Sequence, residues 1–106
     1  MRKLLAAIAA AIAFTPATAD AHMNRWAVVR PLNAKLNRMA WCESRGRWHL
    51  ATGNGFYGGL QFDAGTWWSV GGRGLPHFHS PLEQKYRAVR LIRRRGLAPW
   101  PVCGSA

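Results

Sequence analysis

The sequence predicts a small α+β domain, mainly helical, with one short β-hairpin and one disulfide. Three observations carry that reading. Apolar residues recur at helical spacing in two well-bounded segments, a glycine-rich turn beside an aromatic run separates them, and the chain holds only two cysteines, Cys42 and Cys103. At 106 residues there is room for a single domain, and its opening stretch reads as something other than part of it.

Arg2 and Lys3 make a basic start, Leu4 to Phe14 an apolar run, and Ala17-Thr18-Ala19 or Ala19-Asp20-Ala21 a small-residue cleavage site, the pattern of a secretory signal over residues 1–21. The apolar run is well short of the ~20 residues that cross a bilayer as a helix. An uncleaved anchor is the competing reading. Residues 22–35 form a lead-in segment, helical from about Asn24, and residues 36–104 the folded domain. Export places Cys42 and Cys103 where a disulfide persists. Two free thiols are the alternative, and zinc is disfavoured because neither cysteine has a second one at ligand spacing.

The first clear helix begins at Leu32, where Leu32, Leu36, Met39 and Glu43 repeat at four-, three- and four-residue steps. At ~100° per residue, Glu43 lies about 20° from Leu32 on the helical wheel, on the apolar face, with Trp41 pointing the opposite way. Partial burial there would raise the pKa of the carboxylate. A helix that ends near Trp41, with Glu43 turned to solvent, is equally compatible with the pattern. Thr52-Gly53-Asn54-Gly55 is a turn signal, and Phe56 to Phe62 reads as the extended arm of a hairpin. Its pair Gly58-Gly59 marks a place where substrate or a neighbouring helix approaches the backbone closely.

Asp63 is placed to cap a short helix carrying Trp67, Trp68 and Val70, ended by Gly71. His77 and His79 alternate in the following loop without a third ligand, so they read as surface histidines, and no metal or other cofactor is expected. The last helix opens with the capping box Ser80-Pro81-Leu82-Glu83 and closes at Gly96. Leu82, Tyr86, Val89 and Ile92 form its expected buried stripe. Arg93, Arg94 and Arg95 suit the negative end of its dipole. The same arginines could also form a patch for polyanions.

Acids are scarce: Asp20, Glu43, Asp63 and Glu83 are all there are. Asp20 falls in the leader, Asp63 and Glu83 have capping duties, and only Glu43 has no local structural one. A lone Glu on an apolar face, among six tryptophans whose rings can stack on sugars, suggests an acid that protonates a leaving group in a carbohydrate cleft. The formal charge of +11 points to polyanionic surroundings. Removing residues 1–21 takes away Arg2, Lys3 and Asp20 and leaves +10. A non-catalytic cationic protein that binds cell wall or membrane is the rival reading; nucleic acid is disfavoured as a partner by the secretory signal.

The series Cys42-Glu43-Ser44, Trp48-His49, Thr52 to Gly55, Tyr57 to Phe62, Thr66-Trp67, Gly71-Gly72 and Ala98 to Cys103 closely resembles the catalytic domain of the resuscitation-promoting factors. The likeness covers about Leu36 to Gly104. It implies a lysozyme-like fold, a Cys42–Cys103 disulfide, and cleavage of peptidoglycan glycan strands with Glu43 as catalytic acid. It further implies substrate-binding positions at Asn54, Tyr57, Gln61 and Thr66; the aromatic residues Trp48 and Trp67 of the same motifs complete the expected set. The expected partners are glycan strands and, through the basic surface, anionic wall polymers, with the protein acting as a monomer outside the cell. Departures are Leu36 where the family usually has tryptophan, Arg45-Gly46 where it often has two glycines, and Arg95 where glutamine is common. Glycoside cleavage usually employs two carboxylates. Here either Asp63 is the second, or Glu43 acts alone and the product is a 1,6-anhydro sugar. Arg45 and Arg47, if turned toward Glu43, would pull its pKa back down.

Overall fold

The computed structural model describes residues 19–106. The leader expected over residues 1–21 lies, as far as residue 18, outside the described residues. The order of elements is a helix over residues 19–29 (α1), a 3-10 turn Arg30–Leu32, then α2 (Asn33–Ser44), α3 (Ala64–Ser69), a 3-10 turn Pro76–Phe78, α4 (Pro81–Arg95) and a closing 3-10 turn Cys103–Ser105. Among the described residues no helix is long and apolar enough to cross a membrane.

The α2 stripe points inward as its spacing requires: Leu36, Met39 and Ala40 are buried and Leu32 packs against the same core. The helix does not stop near Trp41. It continues through Ser44 and ends on Arg45, which takes the left-handed conformation at φ 58° with its N–H bonded back to the carbonyls of Ala40 and Trp41. Glu43 is therefore a helical residue, one turn beyond Met39 on the core-facing side. The lead-in helix is also part of the packed unit, because Val29 is fully buried and Arg25 Nε reaches Glu83 at 2.8 Å.

Caps appear where the sequence places them. Asp63 accepts from the Thr66 amide and Ser80 from the Glu83 amide, Pro81 opens α4, and Gly96 follows it at φ 62°. One half of the predicted capping box is replaced: the Glu83 carboxylate pairs with Arg25 at 2.8 Å and Arg87 at 3.5 Å. An ionised partner from α1 and another one turn along α4 outcompete a single amide. The buried stripe of α4 is also wider than expected, comprising Gln84, Ala88, Val89 and Leu91, with Leu82, Tyr86 and Ile92 at its margin.

The predicted hairpin reduces to isolated bridges, Ala51 with Tyr57 and Tyr57 with Phe62. The run 56–62 doubles back on itself rather than extending. Gly58 at φ 82° and Gln61 at φ 53° bend it, and the amides and carbonyls of Tyr57 and Phe62 pair across the bend at 2.9 and 3.0 Å. Neighbouring side chains explain the glycine pair. A Cβ on Gly58 would collide with the Gln84 amide, and one on Gly59 with the Trp48 ring. Cys42 and Cys103 are bonded, with Cα atoms 5.6 Å apart, which ties the tail to the last turn of α2.

Candidate active site

Two buried polar side chains set the position of the Glu43 end of α2. Ser44 Oγ lies 3.0 Å from the Ala40 carbonyl and 2.9 Å from that of Gly59, and accepts the Arg47 amide, so the helix end is fastened to the glycine turn. Gln84, fully buried, accepts the Gly59 amide at 2.9 Å and donates to the carbonyls of Trp48 at 2.8 Å and His79 at 2.9 Å. All of its bonds reach backbone, so α4 fixes the loop at Trp48 and the glycine turn at Gly59, both of which follow Glu43 in the chain. Neither Ser44 nor Gln84 is visible to a search for apolar periodicity.

Glu43 itself is half-buried, and among the described residues it has no hydrogen bond or ion pair. Burial raises its pKa above the ordinary 4.5. The two nearby arginines are occupied elsewhere. The Arg45 guanidinium sits over the Trp41 ring, 5.5 Å from its centroid, and Arg47 Nε donates to the Ser44 carbonyl at 2.8 Å. Neither lies within ion-pairing distance of the carboxylate.

Gln61 and Thr66 line a common groove of about 280 Å³. Phe56, Asp63, Arg95 and Pro99 complete its rim, with Trp100 buried beneath. Its volume falls just under the roughly 300–1,000 Å³ of small-ligand sites, which suits one ring of a longer polymer. Thr66 Oγ1 donates to Asp63 at 2.9 Å, and Gln61 Nε2 to the Gly58 carbonyl at 2.9 Å. Phe56, 46 % exposed, was not anticipated as a groove residue, though an aromatic next to the turn signal was an available cue, and Arg95 is the departure from the family pattern expected to bear on the shape of the cleft.

The other expected substrate contacts are placed differently. Trp67 is fully buried, edge-on to Phe62 with Nε1 donating to the Arg73 carbonyl, so it is a core residue and the expectation of a cleft residue is corrected. On a helix of six residues one of two adjacent tryptophans must face inward, and Trp68 is the exposed one. Trp48 packs its ring on Gly59, has the Lys85 ammonium 5.2 Å from its centroid, and lines a separate open groove with Arg47, His49 and Leu50. Tyr57 stacks on His77 at 5.3 Å. Asn54 accepts the Phe56 amide at 3.0 Å and so stabilises the turn that presents Phe56. His49 donates to the His77 carbonyl, and among the described residues no group of His, Cys, Asp or Glu side chains is arranged to hold a metal.

Helices stapled by a terminal disulfide, with a desolvated acid at the end of the helix that carries one of the cysteines, define a small lysozyme-like domain. The motif resemblance agrees with the comparisons. The chain belongs to the transglycosylase-like domain family, whose model matches residues 30–103. It is 42% identical over 97 residues to the resuscitation-promoting factor Rpf of Micrococcus luteus, covering 92% of this chain and 39% of that protein. It is 50% identical over 66 residues to RpfE of Mycobacterium tuberculosis, covering 62% and 38%, and 48% identical over 68 residues to RpfC of the same species, covering 64% and 49%. The chain thus spans less than half the length of these curated relatives.

Proposed function

We propose that this domain is a peptidoglycan-cleaving enzyme, a lytic transglycosylase acting between N-acetylmuramic acid and N-acetylglucosamine with Glu43 as its single general acid and base. The observation that carries the reading is the state of the acids. Asp63 is bonded to Thr66, Glu83 is paired with Arg25 and Arg87, and Asp20 is exposed on α1 ahead of the matched region; among the described residues Glu43 alone is half-buried without a partner. A carboxyl group of raised pKa is better suited to donate a proton than an ordinary one.

In the proposed reaction the Glu43 carboxyl protonates the glycosidic oxygen as the bond to C1 of the muramyl residue breaks. The resulting carboxylate then takes the proton of the muramyl C6 hydroxyl while that oxygen bonds to C1. The acid is restored, the product is a 1,6-anhydro sugar, and no water is consumed. A single carboxylate is enough for both steps. Residues 1–21 act in this reading as a secretory leader that delivers the domain to the wall, and the arginine-rich end of α4 draws it to anionic wall polymers.

Digestion of purified peptidoglycan by wild type and Glu43→Gln, followed by mass spectrometry of the fragments, tests the proposal. Anhydro-muramyl ends from wild type and none from the variant are expected. Hydrated reducing ends would instead make Asp63 the second carboxylate of a hydrolase. Fragments from Glu43→Gln at the wild-type rate would remove Glu43 from the mechanism. Salt-sensitive binding with no fragments from wild type would support the non-catalytic cationic binder.

A further inference from the structure

Among the described residues the groove beside Asp63 is lined by one cation, and none of them partners it. Arg95 is the only basic residue among the described residues that line it. Arg94 donates to the Ser69 carbonyl at 2.6 Å, whereas Arg95, like Arg90 and Arg93, makes no hydrogen bond or ion pair among the described residues; of these three only Arg95 lines the groove. Asp63, the one acid in the groove, lies beyond ion-pairing distance and has both carboxylate oxygens occupied by Thr66. The other polar hydrogens are largely committed. Thr66 Oγ1 donates to Asp63, Trp100 Nε1 to the Leu60 carbonyl at 2.9 Å, and Gln61 Nε2 uses one of its two on Gly58. The free capacity of the groove is thus the Arg95 guanidinium, one amide hydrogen of Gln61 and the exposed ring of Phe56 on the rim.

An aromatic face and a guanidinium together match a pyranose ring that carries a carboxylate. Of the two alternating sugars of a peptidoglycan strand, only the muramyl residue bears such a group. We propose that Arg95 is a specificity-determining residue that receives a carboxylate attached to a muramyl residue seated against Phe56. The inference rests on the glycan-cleaving reading of the domain and extends it from reaction to substrate form. Two carboxylates share this chemistry: the lactyl carboxylate exposed when stem peptides have been removed, and a carboxylate of the stem peptide itself.

Four substrates separate the possibilities: glycan strands with stem peptides, strands stripped of them by an amidase, and each of these after carbodiimide coupling to methylamine to neutralise the carboxylates. Wild type, Arg95→Gln and Arg95→Lys are compared by kcat/KM, with circular dichroism confirming that each variant is folded. Arg95→Gln is expected to lose about fivefold on the recognised charged form, with Arg95→Lys recovering part of it, and the deficit should shrink several-fold once that form is neutralised. A loss on stripped strands identifies the lactyl carboxylate, and a loss confined to peptide-bearing strands the stem. An equal deficit on charged and neutralised strands, or none on either, overturns the proposal. Failure of wild type to cleave any of the four would defeat the glycosidase reading instead. Arg95 is then judged by co-sedimentation of Glu43→Gln and the Glu43→Gln/Arg95→Gln double variant with the same strands, where equal retention overturns it.

Discussion

Replacing Gln84 by leucine should unfold the site's support without changing its volume much. Gln84 is fully buried and makes three bonds to backbone: from the Gly59 amide, and to the carbonyls of Trp48 and His79. Leucine leaves the buried Gly59 N–H unsatisfied, at a penalty of about 1–3 kcal/mol. The two carbonyls belong to half-buried residues, so water recovers part of their bonding and each loss is nearer ~1 kcal/mol. Greater apolarity of leucine returns on the order of 1–2 kcal/mol, for a net destabilisation of roughly 1–4 kcal/mol. Against a total stability of about 5–15 kcal/mol, that corresponds to a fall in Tm of roughly 4–30 °C for a domain of this size. Differential scanning calorimetry reads it directly, and hydrogen exchange should show the Gly59 amide losing its protection first. A variant within about 3 °C of wild type, with that amide still protected, would refute the view that Gln84 fastens α4 to the loops around Glu43.

Glu43→Gln should be more stable than wild type at neutral pH. Burial raises the folded-state pKa above 4.5, so the folded protein holds the Glu43 proton more tightly than the unfolded chain, and wild-type stability falls as pH rises from about 4.5 through the raised value. The advantage of the variant should vanish below that window in urea titrations at several pH values. By the same sign, cleavage that needs protonated Glu43 should decline on the alkaline side of its pKa. Arg45→Gly should raise stability by about 0.5–1 kcal/mol, measured by thermal melting, because Arg45 holds φ 58° where glycine is unstrained. Replacing Cys42 and Cys103 by serine together should lower stability by about 4 kcal/mol from loop entropy alone, given their sequence separation of 61, with denaturant melts as the measure.

Local chemistry made much of the fold legible in the sequence. Asp63, Ser80, Pro81 and Gly96 announce helix ends because capping involves only residues within one turn, and the spacing of Leu36, Met39 and Glu43 announces the inward face of α2. What escaped depends on distant partners. The pairing of Glu83 with Arg25 spans 58 positions, and nothing near Glu83 predicts it. Gln84 is polar, so a search for apolar stripes placed the centre of α4's buried face one side of where it lies. Two left-handed residues, Gly58 and Gln61, turned an expected strand back on itself, and a positive φ at glutamine has no reliable sequence signal. The groove was only half visible for the same reason: Gln61 and Thr66 come from the motif that covers the bend and α3, whereas Phe56 and Arg95 are brought to one groove only by the fold.

The helix end that presents Glu43 also bears on its acidity. The last turn of a helix carries the negative end of the macrodipole, which disfavours an ionised carboxylate, and desolvation acts in the same direction. A chain of formal charge +11 supplies an opposing field, but across solvent that field weakens over the ~8–10 Å of a Debye length at physiological salt. What could overcome burial is a cation in contact, and the two candidates beside Glu43 are diverted, Arg45 onto the Trp41 ring and Arg47 onto the Ser44 carbonyl. Positive charge is thereby held away from the acid. Returning either arginine to the carboxylate would lower its pKa and shift any Glu43-dependent cleavage toward lower pH. Trp41→Ala, which frees the Arg45 guanidinium, should move the alkaline limb of the pH profile in that direction; an unchanged limb would mean that Arg45 lies too far from Glu43 for its release to matter.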